Sequence, residues 1–393
     1  MAAKTYLPIL GKGILCVQLL FWFTAISQCA SAAQITLKIT GPDNQLLAGA
    51  KIYKNYYINN GLQKGKEYVA DANGTVILPE DEMFGHEWEA NGVILYGLYE
   101  NTLAELLKVM PDDVGKEIEM KLTPVCRVYG KIESTELAGL NQKLLWTNIY
   151  VSRDNTSDFM CVSGQENFSF LLPAGKYKLY AYGTRMYGKS EDIEIIAGQK
   201  ELEINFDLPA DRMAYLIGEQ APELRQIQGW INSKPLTLAQ LHGKVVLLNF
   251  WATWCGPCVR EIPALIEVYE KYRDKGLVVI GIHTDTGISY PDGASKADSH
   301  LEGLKKAVKA LSKKLWNDKT IPYPLALDGG GECEIEGTKI TTLGATDAAY
   351  GIVSYPTCVL IDRNGKVVDD YYPDPRNYEV IEKLLAPDAN DTH

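Results

Sequence analysis

The chain has 393 residues, 46% hydrophobic and 23% charged, enough for two or three domains with ample cores. A net charge of -11 with no offsetting basic cluster argues against nucleic acid as a partner.

The first residues have the pattern of an export signal. Lys4 and Lys12 precede an apolar run, Gly13 to Ile26, and Ala30-Ser31-Ala32 offers a small-x-small cleavage site. The apolar run is short for a membrane span, so residues 1–32 are expected to be removed. Retention would turn them into a membrane anchor. Cys29 suggests a lipoprotein, but Gln28 stands where a small residue is wanted. The predicted location is the periplasm or cell envelope. Export permits disulfides, and six cysteines remain after cleavage: Cys126, Cys161, Cys255, Cys258, Cys333 and Cys358. A Cys126–Cys161 bridge and a pair of buried thiols are both open. The same holds for Cys333 and Cys358, with Cys358 also a candidate third redox thiol.

Residues 34–123 are predicted to be mostly β. Ile35, Leu37 and Ile39 alternate with Thr36 and Lys38, as in a half-buried strand, and Asp71-Ala72-Asn73-Gly74 marks a turn. Thr102 to Val109 reads as a short helix. Residues 124–210 continue the β pattern, with Phe168, Phe170 and Leu172, then Tyr177, Leu179 and Ala181, at alternate positions. The spacing predicts a small sandwich for each segment.

From residue 214 to 387 the pattern changes to strand, helix, strand, helix, strand, strand, helix. Lys244 to Phe250 is an apolar strand and Val259 to Tyr272 has helical spacing. Ser299 and Glu302 suggest a capping box before an apolar face at Leu301, Leu304, Val308, Leu311 and Leu315. The fold class predicted is two small all-β sandwiches followed by an α/β domain with a central mixed sheet flanked by helices.

Trp254-Cys255-Gly256-Pro257-Cys258 lies between that strand and that helix. A helix N-terminus stabilises a thiolate, so Cys255 is the expected nucleophile and Cys258, one turn in, the resolving thiol. Pro257 suits a first helical turn, having no N–H to lose. Pro263 deprives Val259 of its helical partner. A static disulfide and half a zinc site are the plain alternatives. Zinc needs two more ligands at metal-like spacing, and none is evident, so neither metal nor cofactor is predicted. His242 and His283 are expected to be structural.

Phe168 to Gly183, and less clearly Gly41 to Pro79, resemble the carboxypeptidase-regulatory-like, or transthyretin-like, sandwich, which implies accessory modules without catalysis. The third segment resembles the thioredoxin fold. Tyr355-Pro356-Thr357 before a strand is similar to its cis-proline loop, implying that Pro356 lies against the cysteine pair. Within that fold, Gly218-Glu219-Gln220-Ala221-Pro222, Leu241-His242-Gly243-Lys244, the run LLNFWATWCGPC, Asn249 and Glu261 resemble TlpA/ResA-type oxidoreductases of the redoxin (AhpC/TSA-like) group. The resemblance implies that Glu261 handles the proton of Cys258, and that Trp254, Gly256, Pro257 and Tyr355 line the substrate groove. It also implies a reductant of disulfide-containing exported proteins, recharged by a membrane or periplasmic electron donor. Residues 284–350 depart from the family as an insertion. Two rivals stay open. A thiol peroxidase would want Pro and Thr where Leu248 and Ala252 stand. A non-catalytic surface protein would bind glycan or protein through its sandwiches.

Overall fold

A computed structural model describes residues 33–386, apart from 60–61, 154–158, 165, 285–295, 330, 372 and 375–376. The expected export signal and part of the insertion lie outside the described residues.

Ile35, Leu37 and Ile39 are fully buried in strand Gln34–Thr40, which pairs with Thr75–Pro79 and Glu117–Lys121. Their core is completed by Leu78, Leu95 and Met120. A second core gathers Val128, Ile149, Phe170 and Leu179 from residues beyond 124. The two β segments are joined: Met160–Gly164 pairs in parallel with Lys51–Asn59, so one nine-stranded sheet runs across both. This long-range pairing left no local trace in the sequence.

Two local expectations are corrected. Leu103–Val109 is a strand, antiparallel to Val93–Tyr99, and not a helix. Pairing and burial of Ala104 and Val109 override the helix-like spacing of its leucines. Ser299 lies inside the helix Lys296–Leu315 rather than at its cap, and Glu302 pairs instead with Lys305 at 2.6 Å.

The C-terminal region is a six-stranded mixed sheet in the order Gly229–Ile231, Leu325–Asp328, Leu277–Thr284, Val245–Trp251, Thr357–Ile361, Val367–Asp370. Every residue of Val245–Trp251 is buried, because both faces of the sheet are covered. Val245, Leu247 and Trp251 pack under Ile262, Leu265 and Ile266 of the helix Gly256–Tyr272. Val246, Leu248 and Phe250 face Tyr350 and Ile352 on the other side. This strand ends where the cysteine pair begins. The described part of the insertion folds as a ribbon, Cys333–Glu334 against Thr341–Thr342, followed by the helix Ala345–Tyr350.

The β region is tied to this domain. Arg185 pairs with Asp369 on the last strand of the sheet, and Arg212 reaches Glu336 of the insertion at 3.4 Å. Gln142 Nε2 donates to the carbonyl of Ala214 at 2.6 Å.

Candidate redox site

Cys255 and Cys258 form a disulfide at the start of the helix Gly256–Tyr272. Cys255 is the N-cap residue, and its sulfur accepts the backbone N–H of Cys258 at 3.2 Å. That N–H is one of the donors a helix start leaves without an internal partner. Trp254 is 54% exposed and Cys258 1%, so the approach to the pair is from the Trp254 side.

Pro263 sits inside the helix, where its missing N–H leaves the Val259 carbonyl without its usual donor. Trp316 supplies one: its indole Nε1 donates to Val259 O at 2.8 Å. The loop before the cysteines is held by His283. Its Nε2 accepts the N–H of Thr253 at 3.2 Å, and its ring meets that of Trp251 edge-on at 5.0 Å. Burial pushes the His283 pKa down to about 3, so the imidazole is neutral and keeps its acceptor nitrogen.

Behind the disulfide lies a buried polar group. Glu261 stands three residues after Cys258 on the same helix and is 9% exposed. Burial raises its carboxyl from 4.5 to about 7, opposed by a hydrogen bond from Cys358. The Cys358 thiol donates to Glu261 Oε1 at 3.7 Å, and Asn249 Nδ2 donates to the Cys358 sulfur at 3.3 Å. Glu261 Oε2 and Asn249 Oδ1 have no protein partner. Burial pushes the Cys358 thiol well up, which keeps it neutral and ill-suited to act as a third nucleophile. Cys358 and Cys126 are both buried thiols, so neither the Cys126–Cys161 nor the Cys333–Cys358 bridge forms.

The Tyr355–Pro356 peptide is cis. The Tyr355 ring meets Trp254 edge-on at 5.9 Å, and its hydroxyl donates to Asp347 and lies 3.2 Å from the Thr284 hydroxyl. Thr284 Oγ1 also donates to Asp347 at 2.7 Å. Asp347 is itself tied down, its N–H donating to Asp328 Oδ2 at 3.0 Å. Burial and the neighbouring Asp347 raise Asp328 to about 7. The proline loop is thereby pinned to the insertion helix.

The structure brings Cys255, Cys258 and Glu261 together on one helix, and sets Tyr355 against Trp254 at its start. Gly256 and Pro257 are exposed in the first helical turn. Missed by the sequence were Trp316, Thr284 and Asp347, and the bond from Thr253 N–H to His283. The only prior signal for one of them was Pro263, which announces an orphan carbonyl needing a donor. Among the described residues no group of acidic, cysteine and histidine side chains is arranged to hold a metal.

The Redoxin family matches residues 217–385. The thiol-disulfide oxidoreductase ResA of Bacillus thuringiensis (strain Al Hakam) is 34% identical over 160 residues, covering 41% of this chain and 72% of that protein. DipZ of Mycobacterium tuberculosis is 33% identical over 176 residues, 44% of this chain but only 21% of DipZ. A solved thiol:disulfide interchange protein from Bacteroides sp. is 26% identical and covers 45% of this chain and 95% of its own, with a TM-score of 0.30. The ResA match, spanning the disulfide-bearing domain, places the chain in the ResA-type family of thiol-disulfide oxidoreductases.

Proposed function

We propose that the protein is an exported reductase of disulfides in other exported proteins. The observation that carries this reading is the Cys255–Cys258 disulfide at a helix start, with the buried Glu261, its carboxyl raised to about 7, one turn further along the same helix. In the reduced protein, Cys255 thiolate attacks a partner disulfide, forming a mixed disulfide and releasing one partner thiolate. The Cys258 thiol gives its proton to Glu261, and the resulting thiolate attacks the Cys255 sulfur. The Cys255–Cys258 disulfide re-forms, the second partner thiolate leaves, and both partner thiolates take up protons. Two electrons have passed to the partner. A dithiol donor outside this chain returns them. A carboxyl titrating near 7 suits this relay, since it both accepts and releases a proton near neutrality.

Pro356 and Tyr355 shape the edge of the groove with Trp254, Gly256 and Pro257. Residues 214–387 form the redox domain. The segments 34–123 and 124–210 serve as accessory modules of the carboxypeptidase-regulatory-like kind. Export rests on the charged and apolar pattern of residues 1–32.

The test is a trapping experiment. Cys258→Ser should stall the mixed disulfide at Cys255 and capture exported proteins, released by dithiothreitol. A Cys255→Ser protein that still reduces insulin disulfides at the native rate would sink the reading.

A further inference from the structure

Between the β region and the redox domain lies a cleft of about 650 Å3, within the size range of ligand sites. One wall is aromatic. Tyr182 stacks between Tyr150 and Tyr180, with centroids 5.7 and 5.6 Å away and planes within 15° and 24°. Trp146 meets Tyr182 edge-on at 5.7 Å. Trp146 and Tyr180 remain 44% and 42% exposed, unusual for such large rings in a tied-down interface. The platform has a backbone requirement of its own. Tyr180 lies over Gly188 so closely that a Cβ there would sit 2.1 Å from its hydroxyl.

The opposite wall belongs to the redox domain. Val353, 55% exposed, and Ser354 lead directly into Tyr355-Pro356, and Thr357 follows. Ile340, from the insertion, also lines the cleft. Tyr355 connects the two sites, since its ring contacts Trp254, the neighbour of Cys255. A Cβ on Gly351 would stand 2.3 Å from Arg212 Cβ, so the helix Arg212–Leu216 that joins the two regions packs tightly beside the cleft.

We propose that this cleft receives an extended, aromatic- or aliphatic-bearing segment of the polypeptide whose disulfide is reduced at Cys255. The proposal rests on the disulfide-reductase reading above and adds the recognition element to it. Three observations select this occupant. The cleft shares a loop with the redox site, so a chain lying along residues 353–357 extends into it. Its walls combine ring faces with hydroxyls, which suits apolar side chains alternating with backbone polar groups. Its volume admits a few residues and not a folded domain. A stacked-aromatic wall also suits a sugar, but a sugar site has no need of the proline loop as its second wall. The joined β region is then the part of the molecule that selects unfolded or flexible disulfide-bearing segments.

The experiment uses the full chain in its reduced form with two substrates. One is a fluorogenic disulfide-linked peptide with a short phenylalanine-bearing flank, and the other is hydroxyethyl disulfide. The readout is the ratio of kcat/KM for the peptide to that for the small disulfide. In the double variant Trp146→Ala/Tyr180→Ala the ratio should fall about tenfold or more, as expected for loss of aromatic anchors. Gly188→Ala, which displaces Tyr180 without deleting it, should lower the ratio in the same direction. Thermal melting of each variant checks the fold. An unchanged ratio in both variants overturns the proposal. So does quenching of tryptophan fluorescence by a neutral oligosaccharide that Trp146→Ala abolishes, if the ratio stays unchanged. Wild-type protein that reduces neither substrate overturns the reductase reading itself, and the ratio cannot then be rescued by any flank.

Discussion

Two buried acid clusters flank the redox site, and they are built on opposite lines. Behind the disulfide, Glu261 has one weak donor, the Cys358 thiol, and an oxygen with no protein partner. Beside the proline loop, Asp328 and Asp347 take donors from backbone N–H groups, Thr284 and Tyr355. Burial raises the carboxyls in both clusters. The difference lies in the donors, since Asp347 Oδ1, like Glu261 Oε2, has no protein partner. A buried acid held by several strong donors fixes architecture, whereas one held by a single thiol keeps a place for a travelling proton.

The largest effect sets the scale for both. Cys255→Ala should remove disulfide reduction altogether, at least about a thousandfold in an insulin assay, because Cys258, at 1% exposed, lies deeper than Cys255 at 6% and cannot replace it as the attacking thiol. Glu261→Gln should come next, lowering turnover about 10- to 100-fold near neutral pH and erasing the pH–rate limb near 7, measured by stopped-flow. Its stability should move the other way. The carboxyl titrates near 4.5 unfolded and about 7 folded, so the native state binds the extra proton between those values. Its contribution is full below pH 4.5 and is lost as pH rises through 7. Glu261→Gln should therefore melt later than wild type at pH 8, by about 1–3 kcal/mol, and about equally at pH 4. Equal melting at both pH values would erase the distinction between the clusters.

Asp347→Ala probes the cluster held by several donors. It removes the acceptor shared by the Tyr355 and Thr284 hydroxyls and leaves them each other as partners, so folding stability should fall by about 1–3 kcal/mol in denaturant titrations. KM for protein substrates should rise several-fold as the proline loop loosens, with the limb near 7 kept. Loss of that limb would show the two clusters to be one.

The legibility of the two clusters in the sequence differs for the same reason. Cys255, Cys258, Glu261 and Pro263 lie within nine residues of one helix, so spacing alone places them on one element. Asn249 was legible as part of the TlpA/ResA-type pattern, though its partner Cys358, 109 residues on, was not. Asp347 and Thr284 are 63 residues apart and meet only through packing of the insertion against the sheet. His283 was readable as structural, but not as the acceptor that holds Thr253 before the cysteines. In the β half, alternation identified strands such as Gln34–Thr40. It could not reveal that Met160–Gly164 would join Lys51–Asn59, because pairing partners leave no periodicity in either strand. Leu103–Val109 failed for a related reason: its register is imposed by the neighbouring strand.

The finest test lies within the Glu261 cluster. Cys358 is the donor to Glu261, and a neutral thiol is a weak one. Tyr323 and Tyr371 face the same thiol from neighbouring elements, and burial keeps both phenols neutral. Cys358→Ala removes a bond that lowers the Glu261 pKa, so the pH–rate limb should move upward from about 7. Cys358→Ser replaces the thiol by a stronger donor of similar shape and should move it downward. Opposite signs from two small substitutions at one buried atom cannot come from packing loss, which both variants share in the same direction. A limb that moves the same way in both would instead mean that Cys358 only fills space, leaving Glu261 to be tuned by burial alone.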